Sequence, residues 1–520
     1  MKYILLFLLV FNLLSLQTSF AAKPKKPNIL LILVDDMGWS DVGCFGSEIK
    51  TPNIDALAAT GIRFRQFYNT SKCFTSRACL LSGVYHQECG FKKTHSNHLH
   101  HVVTLAEVLK SAGYQTYASG KNHALDNLFN RGFDHYYGLR DGAANHFNPG
   151  LKRKGEPKPA QKRARHWADD KKVFNTRDPS KQNYFPPTFY TTDAYTAKAK
   201  EYLAEWKKQH TGKPFFLYLA YTAPHDPMMA HPEDIKKHKN IYSVGYEKIR
   251  NARYQKQLKM GLINKKQYAL SPPVYRSWNS LTSSQKKEQT RRMQVYAAMI
   301  DRLDQKIGEV VTQLKKMGVY DNTLIIFCSD NGASAENVKN VGNKNLKIGG
   351  VGRWASLQRD WANVCNTPFQ FFKNNSDEGG IRTPTIAHWP KGIVHPGRFA
   401  DHPWHLIDFM PTFVELSGAT YPKTDPKQGD ILPMRGISFA NVLFDKPVGS
   451  RPPLFFQWKQ GKAIIDGKYK LIKHDNKSPW KLYDLTTDAT ELHNLKNKMP
   501  EIYKTLLKKY TTWFENLNKN

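Results

Sequence analysis

The 520-residue chain carries 77 Lys and Arg against 44 Asp and Glu, a formal net charge of +33. That length exceeds one ordinary core and calls for a large domain with a smaller one beside it. Six cysteines are too few for a disulfide framework, and the charge points to an anionic partner unless it serves only solubility.

Taken in order, Met1-Lys2, the apolar run Tyr3 to Leu14 and the small residues Ser19 to Ala22 have the form of a signal peptide over residues 1–22, cut near Ala21 or Ala22. An exported protein, periplasmic or extracellular, with no stable membrane span is expected. Asn28 to Val34 is a continuous apolar run ending in Asp35-Asp36, which predicts a central strand buried on both faces. Thr51-Pro52 opens a helix that Gly61 stops, and Thr104 with Glu107 forms a capping box ahead of a helix ended by Gly113. Strands are predicted over Tyr114 to Ser119, Phe215 to Tyr221, Thr323 to Ser329 and Thr385 to His388, with a long helix from about Gln285 to Met317. Between Lys152 and Lys181 eleven Lys or Arg stand against four acids, which reads as a solvated surface excursion; Lys236 to Tyr275 is similarly basic and irregular. After Ala400 come a helix over Asp408 to Leu416, a hairpin around Asp466-Gly467 and a final helix from about Pro500 to Leu517. Strands alternating with helices predict an α/β sandwich with a mostly parallel mixed sheet over residues 23–400, followed by a smaller α+β unit with a short antiparallel sheet over 401–520.

In open α/β sheets ligands bind beyond the carboxyl ends of the strands. Asp35-Asp36 and Asp330-Asn331-Gly332 both lie there, an all-oxygen set suited to Ca²⁺, although caps and turns also use such residues. Lys121 and His123 alternate after another strand, His225 follows the next in Thr-Ala-Pro-His-Asp-Pro, and Lys373 stands five residues before Glu378-Gly-Gly. Cysteine enters the set in Lys72 to Gly83, which reads Lys-Cys-Phe-Thr-Ser-Arg-Ala-Cys-Leu-Leu-Ser-Gly.

With these motifs in this order, the chain resembles the type I sulfatases, whose fold is that of the alkaline phosphatase superfamily. Asn366-Thr-Pro-Phe369 looks most like the arylsulfatase branch, and Leu482-Tyr-Asp-Leu485 with Asn494-Leu495 carries the likeness into the C-terminal part. The resemblance implies a calcium-dependent sulfuric ester hydrolase in which a converting enzyme oxidises Cys73 to formylglycine. Asp35, Asp36, Asp330 and Asn331, together with the modified Cys73, would hold one Ca²⁺. A hydroxyl of the hydrated aldehyde would attack sulfur, Asp330 taking its proton. Lys373 and His225 would hold the sulfate and protonate the leaving oxygen, Arg77 and Lys121 would steady the diol, and His123 would remove the proton of the second hydroxyl so that sulfate leaves. For such an enzyme sulfated carbohydrate is the expected anionic partner, with aryl sulfates as surrogates, rather than nucleic acid. One residue departs from the pattern: the position two after the cysteine, usually Pro and sometimes Ala, is Thr75. Cys79 reads as a small residue packed inside the helix that follows. Two other readings compete, a phosphate or phosphonate monoester hydrolase of the same superfamily and a catalytically silent binder of anionic glycans.

Overall fold

The apolar run near the start of the chain becomes the strand Asn28–Asp35, every residue of it buried. Alternate side chains of this strand feed two cores, Leu30, Ile32 and Val34 on one face of the sheet and Ile29, Leu31 and Leu33 on the other. Helices Pro52–Ala59, Thr191–Gln209 and Ser283–Lys316 cover the first face; Cys73–Ser82, Leu105–Ser111 and Phe409–Ser417 cover the second. The computed structural model thus shows the expected three-layer sandwich; it describes residues 26–519 other than 93, 95 and 96, so the predicted signal peptide lies outside the described residues.

Ten strands make the central sheet, in the order Arg398–Ala400, Ile62–Phe64, Thr385–His388, Thr323–Ser329, Asn28–Asp35, Phe215–Pro224, Gln115–Gly120, His135–Leu139, His166–Asp169 and Lys172–Asn175. From Thr323–Ser329 to His135–Leu139 the neighbours run parallel, and antiparallel pairs flank them on both sides. Val34 pairs with Ser329 and Asp35 with Pro224, so three strands end at one level and deliver their following residues to one place. A four-stranded antiparallel sheet, Leu454–Trp458, Gly461–Asp466, Tyr469–Lys473 and Lys481–Asp484, packs against the helix Pro500–Lys519. Asn494 and Leu495 bind both backbone groups of Leu482, at 3.0 and 2.7 Å, which accounts for their pairing in the sequence.

The two basic stretches differ from their reading. The excursion from Lys152 to Lys181 adds two edge strands to the sheet and buries Trp167 and Ala168. Within Lys236 to Tyr275 lies the helix Tyr246–Lys259, whose buried face is made of Tyr246, Ile249, Arg250, Arg253, Tyr254 and Gln257. Arg253 is buried against Asp41 and Glu48, at 2.6 and 2.8 Å, so charge fills positions where an apolar period would have announced the helix. Thr51 also acts differently: its hydroxyl accepts from Gly43 N at 2.8 Å and donates to Asp55 at 3.0 Å instead of capping the helix. All six cysteines are buried free thiols, Cys79 among them inside its helix. Among the described residues no helix is long and apolar enough to cross a membrane.

Buried neutral histidines, His405 and His388 among them, lower the stability of this fold in acid. His405 accepts the Ile407 amide through Nδ1 at 3.2 Å, and burial with Arg451 nearby keeps its pKa well below the ordinary value. Burial likewise holds His388 down to about 4. Both rings are neutral in the folded chain but protonate below about 6.5 once unfolded. Stability is therefore complete above that pH and is lost as pH falls toward 4, His388 alone accounting for on the order of 3 kcal/mol. Thermal unfolding followed from neutral to acid pH should show this fall, and His405→Asn, which retains a cap acceptor, should lessen it. A melting temperature constant down to about pH 4.5 would count against neutral burial.

Candidate active site

Asp35 closes its strand and Asp36 follows it in a left-handed turn, φ 66°, a conformation Asp tolerates. The turn breaks strand alternation, so both carboxylates join one cluster instead of facing opposite ways. Asp330 and Asn331 continue the neighbouring strand: Asp36 N donates to Asp330 Oδ1 at 3.3 Å and Asn331 Nδ2 to Asp36 Oδ1 at 2.7 Å. Three buried cations answer the three carboxylates. The Lys121 ammonium bonds Asp35 Oδ2, Lys373 Nζ lies 2.7 and 2.9 Å from the two oxygens of Asp36, and Arg77 holds Asp330 Oδ2 through Nε at 2.9 Å and Nη2 at 2.8 Å. Arg77 Nη1 also donates to the Lys121 carbonyl at 2.8 Å, tying two motifs together.

Cys73 is the first residue of the helix Cys73–Ser82 and is buried with it, at the end where the helix dipole favours an anion. Its thiol belongs to the electrostatic surroundings of both Arg77 and Lys373. Thr75 is built into this turn, its hydroxyl donating to the Lys72 carbonyl at 2.8 Å and sharing a 2.6 Å bond with Thr70 Oγ1. His123 is buried beside the Phe74 ring, centroids 5.7 Å apart, and Gly142 covers it: a Cβ there would come within 2.4 Å of His123 Nε2.

His225 Nε2 stands 3.5 Å from Asp36 Oδ2 and Nδ1 3.0 Å from Asp226 Oδ1. Burial opposes its charge, but Asp36 and Asp35 push the imidazole up to about 10, so it is a proton donor at neutral pH. Asp226 accepts from Trp354 Nε1 at 3.1 Å and from Ser356 Oγ, which fixes the ring behind it. Burial and the Asp35 charge raise Asp330 to about 6 in spite of Arg77. Asp35 itself is held low, because Lys121, His225, Arg77 and Lys373 together outweigh its burial.

The loop bearing Lys373 reaches this cluster through close backbone packing. A Cβ on Gly332 would meet Gly379 O at 2.0 Å, and one on Gly379 would meet Gln370 O at 2.2 Å. Gly332 N bonds Gly380 O at 3.1 Å, so the Asp-Asn-Gly and Glu-Gly-Gly motifs are two sides of one contact. Glu378 lies outside the cluster, where it pairs with Arg382 and Lys470. Gly379→Ala is expected to cost about 3 kcal/mol by denaturant unfolding, whereas Gly350→Ala, in open space, should be near neutral.

Sequence reasoning missed Glu336, which bonds Lys72 at 2.7 Å and lies 3.7 Å from Lys373. Lys373, then Lys72, hold its carboxyl far below the usual range despite burial. It missed the supporting role of Asp226 too, although that residue directly follows His225. The cluster also fits a hard cation: Asp35 Oδ1 and Asn331 Oδ1 are buried acceptors with no hydrogen-bond partner among the described residues. Asp35, Asp36 and His225 offer ligand atoms within 4.8 Å of one another.

Buried carboxylates and cations meet around a helix N-terminus at the carboxyl edge of a parallel sheet, an arrangement suited to a tetrahedral oxyanion. The Sulfatase family model matches residues 27–419, and a model described as N-sulphoglucosamine sulphohydrolase, C-terminal, matches 370–519; the chain belongs to the sulfatase family. It is 33% identical to an uncharacterized sulfatase of Schizosaccharomyces pombe over 94% of this chain and 93% of that one. An arylsulfatase of Klebsiella aerogenes is 32% identical over 82% of this chain and 93% of its own. Among solved structures, Ps i-CgsB in complex with k-i-k-neocarrahexaose aligns with a TM-score of 0.66 and 27% identity, covering 94% of this chain and 92% of that one.

Proposed function

We propose that the protein is an exported, calcium-dependent sulfatase that uses a formylglycine made from Cys73 to remove sulfate esters from carbohydrates. The observation that carries this reading is the meeting of Asp35, Asp36 and Asp330 with Arg77, Lys121, Lys373 and His225 at the end of the helix that Cys73 begins. The Ps i-CgsB complex contains an oligosaccharide, and the net charge of +33 favours an anionic glycan.

Asp35, Asp36, Asp330 and Asn331 would hold the calcium ion, which supplies positive charge to sulfate oxygens and to the attacking oxygen. The hydrated aldehyde at position 73 would supply a nucleophile with a second hydroxyl, something Ser or Cys lacks. Lys373 binds the sulfate and His225, beside Asp36, donates a proton to the leaving oxygen. Arg77 fixes Asp330 and the Lys121 segment as one unit, and Lys121 adds charge where the diol ionises. His123, enclosed by Phe74 and Gly142, takes the proton of the second hydroxyl. Asp226 is a positioning residue that keeps His225 Nδ1 engaged so that Nε2 faces the site.

Turnover of 4-nitrophenyl sulfate and 4-nitrophenyl phosphate by protein coexpressed with a converting enzyme tests the reaction class. Preference for the sulfate ester by about 10² or more in kcat/KM is expected; preference for phosphate would move the protein to the other branch of the superfamily. Calcium is tested independently of activity. Relieving the repulsion among Asp35, Asp36 and Asp330 should raise stability by about 3 to 4 kcal/mol when calcium is two to three decades above its Kd. No shift in Tm between chelated and calcium-loaded protein would contradict the metal assignment.

A further inference from the structure

Three segments distant in sequence are laced together next to residue 73. Asn374 N donates to Ser71 O at 2.8 Å and Lys373 N to Ala333 O at 3.1 Å, so the backbone that carries Lys373 is tied both to the residues before Cys73 and to those after Asn331. Ser71 and Asn374 are both left-handed, φ 59° and 74°. Asn tolerates that region, but Ser holds it only where its surroundings over-determine it.

Glu336 is the side chain that all three segments share. Its Oε1 accepts from Lys72 Nζ at 2.7 Å and from Asn374 Nδ2 at 3.2 Å, while Oε2 stands 3.7 Å from Lys373 Nζ. Asn374 Oδ1 in turn accepts from Trp458 Nε1 at 3.0 Å, and the Trp458 ring meets Phe74 edge-on at 5.0 Å. Lys72, Glu336, Asn374, Trp458 and Phe74 thus make a closed circuit of contacts that begins and ends on the two neighbours of Cys73. Lys373, then Lys72, keep the carboxylate ionised despite burial, so its part is to hold cations rather than to carry protons.

We propose that Glu336 is a positioning residue for sulfate transfer: by tying Lys72 and Asn374 to one carboxylate, it sets the distance between the nucleophile at position 73 and the Lys373 ammonium. The inference rests on the sulfatase reading and adds what fixes the spacing of two groups that reading uses. An ammonium is a point charge on a flexible stem, and Asp36 holds that of Lys373 from one side only. Glu336 is the second anion against it, and its charge-assisted bonds to Lys72 and Asn374 anchor it to the segments on either side of the reacting centre.

The test is a double-mutant cycle between Glu336 and Lys373, read as 4-nitrophenyl sulfate turnover by protein coexpressed with a converting enzyme and normalised to the converted fraction of residue 73. Glu336→Gln keeps the length of the side chain and removes its charge. It should lower kcat about tenfold while melting like the wild type, since small misplacement of a reacting or binding group is costly. In the Lys373→Ala background no ammonium remains to be placed, and the same substitution should change kcat by less than about twofold. Lys72→Met cuts the link from the helix side and carries the test if Glu336→Gln melts well below the wild type; it should lower kcat about threefold, and only where Lys373 is present. Equal losses in both backgrounds, or undiminished turnover by either variant, would overturn the positioning role alone. Absence of ester turnover by the converted wild-type protein would overturn the sulfatase reading and this role with it.

Discussion

Replacing Cys73 by alanine is expected to lower kcat for aryl sulfates by about 10⁴-fold or more while leaving the fold intact. The substitution removes the residue at the helix N-terminus from which the proposed formylglycine would be made. Its structural cost is small, because the thiol is a small side chain at a first helical position and Ala is well tolerated there. The Arg77–Asp330 and Lys373–Asp36 pairs do not depend on it for a hydrogen bond. A Cys73→Ala protein that unfolds normally and still turns over sulfate esters at more than about one per cent of the wild-type rate would place the nucleophile elsewhere.

The second large effect belongs to Lys373. Lys373→Ala should reduce kcat/KM for sulfate esters by about 10² to 10³, with most of the loss in kcat, because preorganised positive charge matters most where charge develops on the sulfuryl oxygens. This ammonium is held charged against burial by Asp36 and Glu336, so its loss leaves Asp36 in the interior without its nearest cation. Calcium is expected to take up part of that charge, and the stability of the variant should consequently depend on calcium more steeply than that of the wild type. Lys373→Arg supplies the charge with a planar head that the site, walled by Asp36 and Glu336, was not built to hold, and it should recover little activity. Near-normal turnover by Lys373→Ala would remove this residue from the sulfate-binding role.

Much of the site was legible in the sequence because the chemistry stands at strand ends. A continuous apolar run that stops at Asp35-Asp36, and another that stops at Ser329-Asp330, are local signals, and the parallel register of the two strands does the rest. Lys373 was legible only through its spacing to Glu378-Gly-Gly, and the structure supplies the reason: Gly332, Gly379 and Gly380 let two backbones touch. What was not legible depends on pairing between distant residues. Glu336 meets Lys72 across 264 positions, and nothing around it marks it as more than a surface acid. The helix Tyr246–Lys259 hid because Arg250, Arg253 and Gln257 take buried positions that apolar residues usually fill. The helix Thr191–Gln209 and the strand His135–Leu139 were likewise not anticipated. Trp458, from the C-terminal sheet, reaches the site only through tertiary packing against Phe74 and Asn374.

Thr75 needs its own consideration, since it stands where related enzymes usually have Pro. In the folded chain it is fully accommodated: its hydroxyl bonds the Lys72 carbonyl and Thr70, stitching the turn that presents residue 73. Conversion of the kind the sulfatase resemblance implies would act on the unfolded segment, where those bonds do not yet exist. Tandem mass spectrometry of the peptide containing residues 73 to 77, from native-host protein or from coexpression with a converting enzyme, therefore bears on the nucleophile most directly. A mass lower by about 18 Da, as exchange of the thiol and one hydrogen for an aldehyde oxygen requires, is the expected result. An unmodified Cys73 in material from the native host would contradict the formylglycine nucleophile and leave a protein that binds anionic glycans without hydrolysing them.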